Sequence, residues 1–309
     1  MLTVSVLPER TAHRLEWRFL PPHIRGEVER QVGTVVEATS CQQGFTPGFA
    51  SVLTTDDGGR HFVKAASVQA QRAVAASYRT EAEWLHRLDA RLPIPALTWF
   101  HESDWVVLAI EHAPGLTPLA PWEDDELARC LEVAATIGEH RAGDTLPLTP
   151  FADDFADVAQ SLPWALAAFP DLPIDALADL LELVPAATDG DRLVHSEARG
   201  DNFLLDPEQT LLADWAWPTR GAGWLDAVML LTSAYADGVD AEALLSTLPT
   251  LAGVRTEHVD ALLALQLTWY ARACSRPVPH NSPFLREHQR RLTVAAADWL
   301  CRRRGWPRP

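Results

Sequence analysis

Leu193-Val194-His195-Ser196-Glu197-Ala198-Arg199-Gly200-Asp201-Asn202-Phe203-Leu204-Leu205 is the densest group of polar side chains in apolar surroundings along this chain. Its apolar ends read as short buried strands and the residues between them as a polar loop. A loop held between buried strands is where a scaffold usually displays reactive groups. His195 and Asn202 stand seven positions apart, and twelve positions after Asn202 comes Asp214, directly behind the apolar run Leu211-Leu212-Ala213.

Upstream of this loop, the first 110 residues read as strand-rich, with β-branched runs at Gly33 to Ala38, Ala50 to Thr54 and His61 to Ala65 separated by Gly- and Asp-rich turns. Residues 69 to 91 lack Gly and Pro and repeat apolar residues at helical spacing (Val74, Tyr78, Ala82, Leu85, Leu88), which predicts one helix interrupting an antiparallel sheet. Trp99 and Trp105 to Ile110 supply two further strands. Beyond Gly115 the chain is Ala- and Leu-rich, and helices are expected near 123–141, 151–168, 173–183, 224–236, 241–248, 256–275 and 283–304, with short strands at Arg192 to Val194, Phe203 to Leu205 and Thr210 to Ala213. The expected architecture is therefore α+β and two-lobed: an N-terminal lobe, 1–111, with an antiparallel sheet and one helix, and a larger mainly helical C-terminal lobe, 112–309. Ligands favour the cleft between such lobes.

Composition narrows the partners. The 309 residues are 47% apolar, enough for a substantial core. No apolar run approaches the roughly 20 residues of a spanning helix, and charges interrupt the N-terminus where a signal core would lie, so a cytoplasmic protein without a membrane partner is expected. Four scattered cysteines suggest neither a zinc site nor a disulfide framework. A net charge of −16 argues against nucleic acid as partner. Sixteen acidic residues lie between Glu123 and Asp191 against two basic ones, Arg129 and Arg141, so an anionic face there would attract a cationic ligand or simply keep the chain soluble. Asp153, Asp154 and Asp157 are its candidates for an acceptor pocket. Trp164, Trp269 and Trp299 fall on apolar helical faces and read as core anchors, and Arg302 to Arg304 as a helix C-terminus that favours positive charge.

The order of these elements resembles the aminoglycoside phosphotransferase and choline kinase-like family, which shares the protein kinase fold, over roughly residues 33 to 275. His195 to Asn202 resembles the kinase catalytic loop, and Asp214 the magnesium aspartate. Lys64, late in a strand, and Glu81, on the next helix, resemble the pair that holds a lysine against the α- and β-phosphates. Gly44-Phe45-Thr46-Pro47-Gly48 resembles a loop over those phosphates, and Val107 to Gly115 the hinge, where the Glu111 carbonyl and the Ala113 amide would meet the adenine. The resemblance implies ATP, or GTP, with Mg²⁺ on Asn202 and Asp214, and a small-molecule hydroxyl acceptor. Taken with the acidic segment, it favours a cationic, aminoglycoside-like acceptor.

One position departs from the pattern: Glu197 stands where the family carries its catalytic aspartate. Glutamate keeps the charge but adds a bond of about 1.5 Å, and a displacement of roughly 1 Å can cost on the order of 10²-fold in rate. Arg199 occupies the place of a kinase lysine that faces the transferred phosphate. Two other functions therefore remain open: a nucleotide-binding module without transfer, and a kinase acting on Ser or Thr of a peptide intermediate.

Overall fold

The structure, a computed structural model, describes residues 11–308 except 116, 119, 144 and 145. An N-terminal helix, α1 (Pro22–Val32), precedes five antiparallel strands: β1 (Val35–Ser40), β2 (Phe49–Thr55), β3 (Arg60–Ser67), β4 (Leu97–Glu102) and β5 (Trp105–Ile110), in the order β1-β2-β3-β5-β4. Helix α2 (Arg72–Arg87) connects β3 to β4. The sheet is packed on both sides. Phe49, Leu53, Val63, Ala65, Val107 and Ala109 meet Leu20, Ile24 and Val28 beneath α1, whereas Ala66, Val106, Leu108 and Ile110 face Tyr78, Ala82 and Leu85 of α2. Strand alternation explains both sets, and it explains why β5 reads as an unbroken apolar run.

This alternation also aims the site. With Val63 and Ala65 turned toward α1, Lys64 must point to the α2 side, opposite Leu108 in register. On α2, Glu81 shares a face with Tyr78, Ala82 and Leu85 and is buried there. Helix α1 was not among the expected elements. Its Ile24, Val28 and Val32 lie at i, i+4 spacing behind a Pro at the first helical position, the signal that identifies it.

The second half contains α3 (Asp124–Glu139), α4 (Leu162–Ala168), α5 (Ile174–Thr188), β6 (Arg192–Val194), β7 (Phe203–Leu205), β8 (Thr210–Leu212), β9 (Thr219–Gly221), α6 (Leu225–Ala236), α7 (Ala241–Leu245), α8 (Thr256–Cys274) and α9 (Leu285–Arg304). Residues 151–161, expected as part of one helix, form two 3-10 turns before α4. Only β7 and β8 form a hairpin; β6 pairs with β9, which the sequence reading did not include. The chain between the halves crosses β7 closely. A side chain at Gly115 would lie 2.7 Å from the Leu205 backbone, so glycine is required there. Among the described residues no helix is long and apolar enough to cross a membrane.

Helices α8 and α9 are joined by a buried ion pair. Arg303, in the last turn of α9 where positive charge was expected, donates from Nε to Asp260 Oδ1 at 2.6 Å and from Nη1 to Glu242; Asp260 is 1% exposed. Arg303 keeps Glu242 when Asp260 is removed but loses its most buried partner, so Asp260→Ala is expected to cost about 1.5–3 kcal/mol in urea denaturation at neutral pH.

Candidate functional site

Lys64, Glu81 and Asp214 come together across the two halves. The Lys64 ammonium donates to both Glu81 oxygens at 2.8 Å and to Asp214 Oδ1 at 3.3 Å. Burial alone would lower the lysine pKa, but the two carboxylates outweigh it and hold the group above the ordinary lysine value. Asp214 is also desolvated, yet the Lys64 charge keeps it below the usual carboxylate value and therefore ionised. Its backbone is left-handed, φ 69°, a conformation that Asp tolerates better than most residues.

The loop 195–202 is held by its backbone. Both Asp226 oxygens accept from it, Oδ2 from the His195 amide at 2.7 Å and Oδ1 from the Ser196 amide at 3.1 Å. Burial pushes the Asp226 carboxyl up to about 7, against those two amide bonds. Burial lowers His195 to about 4, so its ring is neutral. Nδ1 accepts from the Glu197 amide at 3.3 Å, so Nε2 carries the proton and donates to the Ala213 carbonyl at 2.9 Å. His195 thus braces the loop against the residue preceding Asp214.

Glu197 faces the same cleft, with 36% of its side chain exposed. Desolvation by the surrounding walls raises its carboxyl above the usual 4.5, and Arg199 opposes the rise. Arg199 donates to Glu197 Oε1 at 3.1 Å and, through Nε and Nη2, to Asp201 at 3.0 and 3.2 Å. Its fork is therefore engaged by two carboxylates, whereas its position in the loop suggested a group facing the transferred phosphate. Glu197 Oε2 is left for an incoming group. Asn202 donates from Nδ2 to the Glu197 carbonyl at 2.9 Å, which turns Oδ1 away as a free acceptor. Asn202 Oδ1 and Asp214 offer hard oxygen donors of the kind that could hold a divalent cation whose remaining positions are filled by water.

These groups line one cleft of about 1020 Å³ that also includes Thr46, Glu111 and Ala113. The Glu111 amide donates to the Ala96 carbonyl at 2.8 Å, which fixes the hinge where it leaves β5. Thr46 lies in a loop tied from an unexpected direction. Arg14, not singled out from sequence, donates to the carbonyls of Cys41 (3.1 Å), Gln43 (2.6 Å), Gly44 (3.3 Å) and Thr46 (2.5 Å). Thr11 donates to Gly44 O at 2.6 Å, and Ser282, from the α8–α9 connection, to Phe45 O at 2.8 Å. By contrast, Asp153, Asp154 and Asp157 are not among the residues lining the cleft, and Asp157 pairs with Arg272 at 2.8 Å.

The fold is the two-lobed protein kinase-like fold of aminoglycoside phosphotransferases and choline kinases. An aminoglycoside phosphotransferase, APH(4)-Ia, solved with ADP and hygromycin B, superposes with a TM-score of 0.57 at 15% identity, covering 88% of this chain and 97% of that one. The choline kinase LicA from Streptococcus pneumoniae gives 0.58 at 14% identity, covering 89% and 99%. The macrolide 2'-phosphotransferase MphH from Brachybacterium faecium gives 0.52 at 20%, covering 87% and 95%. No family model matches the chain, and no curated protein matches it in sequence.

Because one guanidinium holds four loop carbonyls, Arg14→Ala is expected to speed amide exchange across residues 41–46 by roughly tenfold to a hundredfold. Hydrogen-exchange mass spectrometry should show β3 and β5 unchanged.

Proposed function

We propose that this protein transfers the γ-phosphoryl group of ATP to a hydroxyl of a small molecule. The observation that supports this most is the Lys64 ammonium held by Glu81 and Asp214 in a cleft that also presents Glu197 and Asn202. In this reading Lys64 binds the α- and β-phosphates, the 111–113 segment receives the adenine, and the loop around Thr46 covers the phosphates. Asn202 and Asp214 would hold Mg²⁺, which would supply charge neutralisation at the phosphate oxygens. The acceptor oxygen bonds to the γ-phosphorus, the bond from that phosphorus to the β–γ bridging oxygen breaks, and its electron pair leaves with ADP. The hydroxyl proton passes to Glu197 Oε2, whose raised pKa makes it a stronger base than an ordinary carboxylate. The related folds solved with ADP or AMP-PNP favour ATP and give GTP no support.

A binding module without transfer is the second reading, favoured by one contact: Arg199 neutralises the group that must accept the proton. ATP consumption with Mg²⁺, measured for wild type and Glu197→Asp over a panel of hydroxylated acceptors, separates the two. Turnover by the wild type supports transfer, turnover by the aspartate variant alone supports the binding module, and no Mg-ATP binding sinks both. Lys64→Ala is expected to lower transfer by on the order of 10²-fold or more. Only ionised Glu197 accepts a proton, so the rate should fall as pH drops through its raised pKa, placing the acidic limb above 4.5. Asp214, with its lowered pKa, stays charged through that range.

A further inference from the structure

Beyond Glu197 the cleft continues into a compartment walled by the helical half. Arg199 lies against Tyr270 of α8, and Trp269 meets Tyr270 edge-on with ring centroids 4.9 Å apart. From α9, His288 lines the same cleft as Asp201 and Arg199, with its ring centroid 4.5 Å from that of Phe45 in the loop. Trp217, three residues past Asp214, lines the same cleft. Trp269 was expected in the core, but it is 37% exposed, and Trp217 is 56% exposed. Two large apolar rings held in solvent inside a cleft gain from being covered.

Two further observations define what would cover them. His288 is only 9% exposed, yet its Nε2 has no hydrogen-bond partner among the described residues. Burial lowers it to about 4, so it is a neutral group available to one polar contact. The charge here is small. Glu197 and Asp201 share the one Arg199, leaving a single net negative charge, and the acidic residues once assigned to an acceptor pocket do not reach the cleft. Of the remaining cleft carboxylates, Glu81 and Asp214 share the Lys64 charge, and Glu111, Glu123 and Glu126 belong to the exit of β5 and the start of α3. Beside these walls Glu197 and Asp201 are engaged by Arg199, and Asp157 by Arg272, so few carboxylates are free to meet a polycation.

We infer that this compartment is the acceptor subsite and that it takes a hydroxyl compound with a flat apolar body and at most one positive charge. Trp217 and Trp269 cover the body, His288 Nε2 meets a polar substituent, and Glu197 addresses the hydroxyl. The inference deepens the phosphotransferase reading and rests on it.

Saturation-transfer NMR on the full chain tests it without knowledge of the natural acceptor, using indole-3-ethanol as the flat alcohol and 2-deoxystreptamine as the polycation. Binding of the alcohol is expected at millimolar concentration, weakened roughly threefold to tenfold in Trp217→Ala and Trp269→Ala. His288→Ala should weaken it as well, and the exposure of Trp217 keeps that variant informative if a buried one fails to fold. No binding of the alcohol, equal binding by the tryptophan variants, or tighter binding of 2-deoxystreptamine overturns the inference. A parallel Mg-ATP titration keeps the two readings apart. Tryptophan-dependent alcohol binding without ATP binding would remove the phosphotransferase reading alone, and ATP binding without alcohol binding would remove the subsite alone.

Discussion

An ammonium group cannot be buried without partners, and Lys64 meets that constraint by drawing one carboxylate from each half of the molecule. Glu81 comes from the helix packed on the sheet and Asp214 from the turn beyond β8. Desolvation of either carboxylate or the lysine alone would cost several kcal/mol. Glu81 neutralises the lysine within its own half, and the further bond to Asp214 at 3.3 Å joins the two halves across the cleft. The register of β3, the apolar face of α2 and the left-handed backbone at Asp214 all serve to bring these three groups within contact.

The loop that carries Glu197 is set by groups that do not face the cleft. Asp226 anchors two consecutive amides, and neutral His195 joins the loop to the Ala213 carbonyl. Fixing the backbone at both ends restricts where a longer side chain can reach, and the remaining freedom of Glu197 is limited by its contact with Arg199. The Glu197 carboxylate is therefore held by a cation, and the same cation is held in turn by Asp201.

Much of the net charge lies away from the cleft. The −16 total reflects helices whose carboxylates face solvent or nearby arginines, as Asp157 faces Arg272 and Asp191 faces Arg141 and Arg192. Surface charge of this kind supports solubility and is screened over about 10 Å at ordinary ionic strength. The cleft wall instead presents tryptophan rings, which a tally of charge along the chain does not register.

By itself the sequence determined the strands of the sheet, the helix bearing Glu81, and the order of Lys64, Glu81, His195, Asn202 and Asp214, because strand alternation, helical spacing and motif spacing are written in local order. The tertiary structure decided what depends on distant packing. Arg14 reaches its carbonyls across 27 to 32 positions, and β9 is a strand only because β6 lies beside it. Arg199 is turned by Asp201 and Glu197. Trp269 lies on a helix that is apolar nearly all round, so its spacing could not reveal which face meets the cleft. Periodicity specifies a face, and only the packing of neighbouring elements decides what that face meets.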